Sequence, residues 1–173
     1  AGVGQARVKV VRRVRAALLC TGDELTQPGQ PLTFGKIYDS NQMALMARLA
    51  ELGVECVQLG ELSDDPQNVA DALAHAALEA DIILTTGGVS VGKKDIFHQV
   101  LPLMGAERLF WRIAMKPGSP LLCGLYQDKL MICLSGNPFA ALCCFEVFAV
   151  PTLRRLSGET SIDAKRVKTR LRG

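Results

Sequence analysis

The sequence predicts an α/β fold in three layers, α/β/α, with a mostly parallel sheet and helices on both faces. Three observations carry that expectation. Apolar runs of strand length alternate with segments of helical periodicity at the spacing of βαβ units. One run, Asp81–Thr86, is apolar almost throughout, the pattern of a strand buried on both faces. Four apolar runs lead into short loops rich in Gly, Asp, Ser or Asn, and open α/β sheets bind ligands just beyond the carboxyl ends of their strands.

Taken in order, Val14–Cys20 reads as a strand, short, apolar and closed by Thr21-Gly22. Asn41–Leu52 reads as a helix. Met43, Leu45, Met46, Leu49 and Leu52 recur near helical spacing, Ser40-Asn41 can cap it, and Gly53 supplies a stop. Val54–Leu59 is the second strand. Pro66–Glu79 is the second helix, with Val69, Leu73 and Ala76 or Ala77 on one face. Asp65 is its N-cap and Pro66 its first helical residue. After Asp81–Thr86, a helix is expected from about Asp95 to Met104. Extended pieces follow near Leu109–Met115, Leu121–Leu125 and Lys129–Leu134. The last helix runs from Pro138 to about Leu156, with a kink at Pro151. One α/β domain therefore covers residues 14–158. Val8 and Val10, and then Val167, Thr169 and Leu171, alternate with charges at strand spacing. Residues 1–13 are accordingly expected to be the stub of a preceding domain, and 159–173 a linker and the start of a following β domain.

The bulk properties narrow the function classes. With 173 residues, 49% apolar and 21% charged, there is chain enough for one substantial core. No apolar stretch reaches membrane-spanning length and no signal core follows a basic start, so no membrane partner is expected. The net charge of +3 is unevenly spread, with basic ends and an acidic middle. Because the basic ends also alternate with apolar residues, exposed sheet explains them better than a nucleic-acid tail, and no nucleic-acid partner is expected. Cys20, Cys56, Cys123, Cys133, Cys143 and Cys144 form no C-x-x-C pair and sit among apolar residues. Metal-site and disulfide-framework spacings are absent. The pattern fits buried, reduced thiols in a cytoplasmic protein.

The four loops are Thr21–Glu24, Asp64-Asp65, Gly87–Asp95 and Ser135–Pro138. Gly87–Lys94 has the G-x-x-x-x-G-K spacing of a phosphate loop, but Lys94 stands where that motif places the magnesium-binding Ser or Thr. Val89 likewise breaks G-x-G-x-x-G. What remains is a glycine turn whose N–H groups, with the following helix start, favour an anion; a tight structural turn is the alternative. Asp95 reads either as a helix cap or as a carboxylate aimed into the site. Asp65 is assigned to capping, which leaves Asp64 as the functional candidate of that pair. Asp23-Glu24, two adjacent acids directly after a buried strand, are poor choices for turn stability alone. Unbalanced carboxylates repel, so a cation is expected among Glu24, Asp64 and Asp95. Magnesium takes oxygen ligands and shares them with substrate phosphates. Lys116, before Pro117-Gly118, either offers charge to an anion or belongs to an ordinary turn. His75 and His98 fall on helices without a partner motif and read as structural or exposed.

These residues together resemble the MoeA-type molybdopterin molybdotransferases. The resemblance rests on TGDEL (Thr21–Leu25), PGQPL (Pro28–Leu32), G-x-I-Y-D-S-N (Gly35–Asn41), DDP (Asp64–Pro66), GGVSVG-x-x-D (Gly87–Asp95), KPG-x-P (Lys116–Pro120) and GNP (Gly136–Pro138), in that order and spacing. It implies a three-layer molybdopterin-binding domain, with further domains before and after it. It implies magnesium-dependent insertion of molybdate into adenylated molybdopterin with release of AMP, in a cytoplasmic homodimer. Glu24, Asp64 and Asp95 match the family's acidic positions for magnesium. Thr21, Gly22, Asp23, Ser40 and Asn41 are expected to contact substrate. The loops Gly87, Gly88, Val89, Ser90 and Gly92, and Ser135, Gly136, Asn137 and Pro138, are expected to seat the pterin and its phosphate. Lys116, Pro117 and Gly118 match the turn near which the family places molybdate. Two positions depart from the pattern: Ser119 replaces the second lysine of KPGKP, and Ser135 replaces the first proline of PGNP. The same fold also serves molybdopterin adenylyltransferases, whose glycine loop usually reads GGTG, and non-catalytic scaffold domains.

Overall fold

The computed structural model describes residues 2–60, 62, 64–89, 95–162 and 168. In chain order its elements are β1 Arg15–Cys20, β2 Leu25–Thr26, β3 Ile37–Tyr38, α1 Ser40–Glu51, β4 Glu55–Gln58, α2 Pro66–Ala77, β5 Ile82–Thr86, α3 Phe97–Met104, β6 Glu107–Trp111, β7 Leu122–Tyr126, β8 Lys129–Leu134, α4 Pro138–Cys144, a π turn at Phe145–Ala149 and α5 Val150–Leu156. Six strands form one sheet in the order β4-β1-β5-β8-β7-β6. β4, β1, β5 and β8 are parallel, and β7 is antiparallel to both β8 and β6. The mostly parallel sheet expected from the sequence is the one that forms.

Strand alternation builds the two outer layers. Ala16, Leu18 and Cys20 of β1 pack with Ile82 and Leu84 under a face covered by Leu45 and Leu49 of α1, Ala141 and Phe145, and Leu153 of α5. Ala17, Leu19 and Ile83 point the other way, under Val69 and Leu73 of α2 and Phe97, Val100 and Leu101 of α3. All five residues of β5 are buried, as a strand sandwiched between helix layers must be. The chain leaves β1 for α1 on one face and β5 for α3 on the other. These neighbouring strands therefore part at their carboxyl ends, where such sheets open to ligands.

Several boundaries differ from the sequence expectation, each for a local reason. α1 begins at Ser40 because Asp39, not Ser40-Asn41, is its N-cap and accepts the Gln42 N–H at 2.9 Å. α2 starts as expected, with Asp65 accepting from Gln67 and Asn68. The strand placed near Leu109–Met115 runs instead over Glu107–Trp111, because Arg112 adopts φ +66° and turns the chain. The last helix is interrupted before Pro151, by the π turn rather than by the proline itself; Pro151 then opens α5, where a missing N–H is tolerated. Residues 2–14 form no strand, and Val8 and Val10 are exposed. A strand needs a partner ladder for its N–H and C=O groups, and none of the described strands pairs with residues 2–13. Val167, Thr169 and Leu171 lie outside the described residues. Among those described, no helix is long and apolar enough to cross a membrane. All six cysteines are free, four buried and Cys56 and Cys143 partly so. Burial pushes the Cys20 and Cys133 thiols up to about 12.

Candidate functional site

The loops after β1, β5 and β8 meet at the carboxyl end of the sheet. Thr21 N–H donates to the Thr86 carbonyl at 2.9 Å, and Gly87 N–H donates to the Leu134 carbonyl at 3.2 Å. Each loop therefore begins as a one-bond extension of a parallel ladder. Gly87 has φ +85°, and a Cβ there would overlap the Thr21 carbonyl oxygen. Gly136 is the third wall, since a Cβ on it would lie 3.6 Å from Gly87 Cα. Glycine is required at Gly87 both by its left-handed backbone and by this close approach. Asn41, buried at the start of α1, donates through Nδ2 to the Gly136 carbonyl at 2.9 Å. It ties the helix to the loop after β8.

The remaining predicted residues distribute around this contact. Thr21 and Ser135 are buried, and Val89 is in the core with α3. Gly88 packs on Ile96 and Phe97. Ser135 Oγ accepts the Asn137 N–H at 3.3 Å, and Asn137 caps α4 through the Ala140 N–H at 3.1 Å, with Pro138 opening the helix. Ser40 is exposed. Lys116, Pro117 and Gly118 line a cavity of about 660 Å³ with Asn137 and Ala140. Gly118 is held there by its carbonyl, which accepts from Cys144 Sγ at 3.4 Å. Ser119 lines the same cavity and its carbonyl accepts the Ile113 and Leu121 N–H groups, so this position closes the loop through its backbone. Ser90 and Gly92 lie outside the described residues.

The acids do not gather evenly. Asp23 and Glu24 are exposed, and the Glu24 carboxyl folds over Gly22, 2.9 Å from where a Cβ would stand. Asp23 N–H donates to Asp64 Oδ2 at 3.4 Å, which joins the loops after β1 and β4. Asp95 is 8% exposed and faces His98, whose Nε2 is 3.2 Å from Oδ2. It is not the cap of α3, where Ile96 holds that place without a side-chain bond. Burial pushes the Asp95 carboxyl above the ordinary carboxylate range, against the opposing pull of His98 and of the Phe97 and His98 backbone N–H groups. Among the described residues, no three His, Cys, Asp or Glu side chains form a cluster able to hold a metal ion. Glu24 and Asp64 nevertheless fit magnesium by donor type. Magnesium accepts one or two protein carboxylates when substrate phosphates complete its shell.

Comparison with known proteins places this geometry. Residues 17–155 match the family described as "Probable molybdopterin binding domain". The chain belongs to that molybdopterin-binding domain family. Within it, the chain is similar to the MoeA-type transferases. It is 38% identical over 159 residues to the molybdopterin molybdenumtransferase of Haemophilus influenzae, which covers 92% of this chain and 39% of that protein. It is 39% identical over 155 residues to the Nostoc molybdopterin molybdenumtransferase, covering 88% and 36%. The crystal structure of the molybdopterin biosynthesis MoeA protein from Pyrococcus horikosii superposes with a TM-score of 0.76 at 31% identity, over 85% of this chain and 36% of that one. This chain thus spans well under half the length of these relatives. A molybdenum cofactor biosynthesis protein B structure, at 15% identity and TM-score 0.62, shares the fold alone.

Sequence reasoning missed three parts of this molybdopterin-binding domain. Asp39 is almost fully buried below a cavity of about 440 Å³ that Asp23, Gln27 and Lys36 also line. Lys36 donates to the Asp23 carbonyl, so the β2–β3 arm brings a cation to the acidic loop. Helix-cap statistics favour Asp at the position before Ser40, and that signal was available. His98, read as structural or exposed, pairs with Asp95. The i,i+3 spacing of an acid and a histidine at a helix start could have found it.

Proposed function

We propose that this chain is the molybdopterin-binding domain of a transferase that inserts molybdate into adenylated molybdopterin and releases AMP. One observation supports it above the rest: similarity to molybdopterin molybdenumtransferases runs through almost the whole chain, including the three loops that touch at Thr21, Gly87 and Gly136. In this reading Gly87, Gly88 and Ser135–Pro138 seat the pterin and its phosphate, with backbone N–H groups turned toward the anion. Lys116 supplies positive charge to molybdate beside Asn137, in a cavity whose neighbouring Ser119 leaves it the single lysine of the KPGSP turn. Glu24 and Asp64 would hold magnesium, with Asp95 the third acid of the set. When bound, the metal neutralises phosphate charge and polarises the phosphoryl group. Asn41 keeps the Gly136 loop in place against the bound ligand.

The test combines binding with turnover. Adenylated molybdopterin should bind the chain in a magnesium-dependent manner, and Asp64→Ala should weaken that dependence by at least about tenfold. In the full-length protein, AMP release should require molybdate. AMP transfer from ATP to molybdopterin would instead support the adenylyltransferase reading. Density for the nucleotide away from the Thr21, Gly87 and Gly136 loops would overturn the site.

A further inference from the structure

We infer that His98 is a positioning residue for Asp95, and that Arg108 and Trp111 fix the imidazole in the orientation this requires. The inference rests on Asp95 acting in the site proposed above. Both Asp95 oxygens are buried and neither makes a well-aligned hydrogen bond, although the Phe97 and His98 backbone N–H groups pull on the carboxyl. A buried carboxylate in that condition is costly unless a donor is held ready for it. His98 Nε2 is also buried without a completed bond, and it stands 3.2 Å from Asp95 Oδ2. The distance is that of a hydrogen bond, while the alignment is loose, as it commonly is before substrate binds.

The ring's other contacts decide what it presents. Arg108 Nη1 lies 3.3 Å from His98 Nδ1. A guanidinium only donates, so Nδ1 accepts. The neutral imidazole then carries its proton on Nε2, the nitrogen that faces Asp95. Trp111 sets the ring plane, edge to face at 88° with centroids 4.4 Å apart. Arg108 and Trp111 both come from β6, while Asp95 and His98 flank the start of α3. The arrangement is a carboxylate, an imidazole and a guanidinium in line, running from the buried end to an exposed one. With His98 Nε2 facing Oδ2 at 3.2 Å, the carboxylate is restrained in one orientation.

Two measurements test this. In the 15N-labelled chain, the neutral His98 ring should show the Nε2–H tautomer. Arg108→Met, an exposed change, should convert it to a mixture. A wild-type Nδ1–H tautomer would overturn the positioning role whatever the activity. In the full-length protein, His98→Phe keeps a ring on Trp111 but removes the donor. It should lower kcat for AMP release by roughly 10–100-fold with little change in KM. His98→Gln, which restores an N–H donor, should recover most of the loss. Adding His98→Phe to Asp95→Asn should cost nothing further, and multiplicative losses would overturn the inference. If Asp95→Asn alone leaves turnover unchanged, the functional reading of Asp95 fails first, and the tautomer then reports structure only.

Discussion

The two ends of the parallel sheet handle polar groups differently. At the amino end, charged residues find partners. Asp81, just before β5, accepts the Arg15 backbone N–H at 2.9 Å and is clasped by the Arg12 guanidinium. The Arg15 side chain reaches Glu55 at 3.1 Å and Glu79 at 3.0 Å, and Lys129 donates to the Ala77 carbonyl. Around the carboxyl end, Thr85 Oγ1, both Asp95 oxygens, His98 Nε2 and Trp111 Nε1 are buried without a completed hydrogen bond. Unmade bonds of that kind lower stability and are retained where a site needs them. One end closes the sheet with ion pairs, and the other leaves buried polar groups without completed bonds.

The largest effect expected from breaking this contrast is at glycine. Gly87→Ala should destabilise by about 2–4 kcal/mol, because the backbone is left-handed and the added carbon meets the Thr21 carbonyl. Gly53, also left-handed at φ +69° but with nothing within 4 Å of its Cβ position, is the amino-end control. Gly53→Ala should cost only about 1 kcal/mol. Urea midpoints of the two variants check this. Equal losses would mean that the carboxyl-end contact between loops contributes nothing beyond backbone strain.

Next in size is Asp81→Asn at the amino end. It keeps an acceptor for the Arg15 N–H and loses the ionic part, so about 1–2 kcal/mol is expected. The hydrogen bond from Arg12 holds the Asp81 carboxyl below its ordinary range. Its contribution is therefore complete above the unfolded carboxylate range and is lost as pH falls through the lowered native value. The gap between wild type and variant should close in acid. A gap independent of pH would show that the ion pair is not its source.

Asp95→Asn should have the opposite sign. The native carboxyl is raised by burial, so the folded state binds the proton more tightly than the unfolded one. That favours folding below the unfolded carboxylate range and is lost as pH rises through the raised native value. At neutral pH the variant should thus have a higher urea midpoint than wild type, and the gain should shrink in acid. A lower midpoint at neutral pH would show that Asp95 is structurally satisfied. The carboxyl end would then not differ from the amino end in the way described.

What the sequence made legible follows the same division. The apolar run of β5 and the Asp65-Pro66 start of α2 are local signals, and each produced the element expected. Strand order was not legible in the sequence; the order β4-β1-β5-β8 brings Thr21, Gly87 and Gly136 together. The Asp95–His98–Arg108 line was not legible in full. Its last member comes from β6, whose pairing with β7 shifts register between Arg108 and Phe110, and no periodicity announces which way a bulged strand turns its side chains. The division of the acids, Glu24 and Asp64 to one loop pair and Asp95 to His98, likewise depends on side-chain direction rather than on spacing.

The smallest effect expected is Arg12→Met. Arg12 is largely exposed, while Asp81 keeps its buried side and its bond to the Arg15 N–H. Exposed ion pairs gain little because water screens them and two long side chains must be ordered. The variant should lose clearly less than Asp81→Asn, and its loss should fade as salt shortens the range of the interaction. Denaturation at low and high ionic strength measures both points. If Arg12→Met matches Asp81→Asn and ignores salt, the guanidinium is packing the edge of β5 rather than pairing with it. The amino end would then owe its stability to covered surface, and the contrast between the two ends would rest on burial instead of charge.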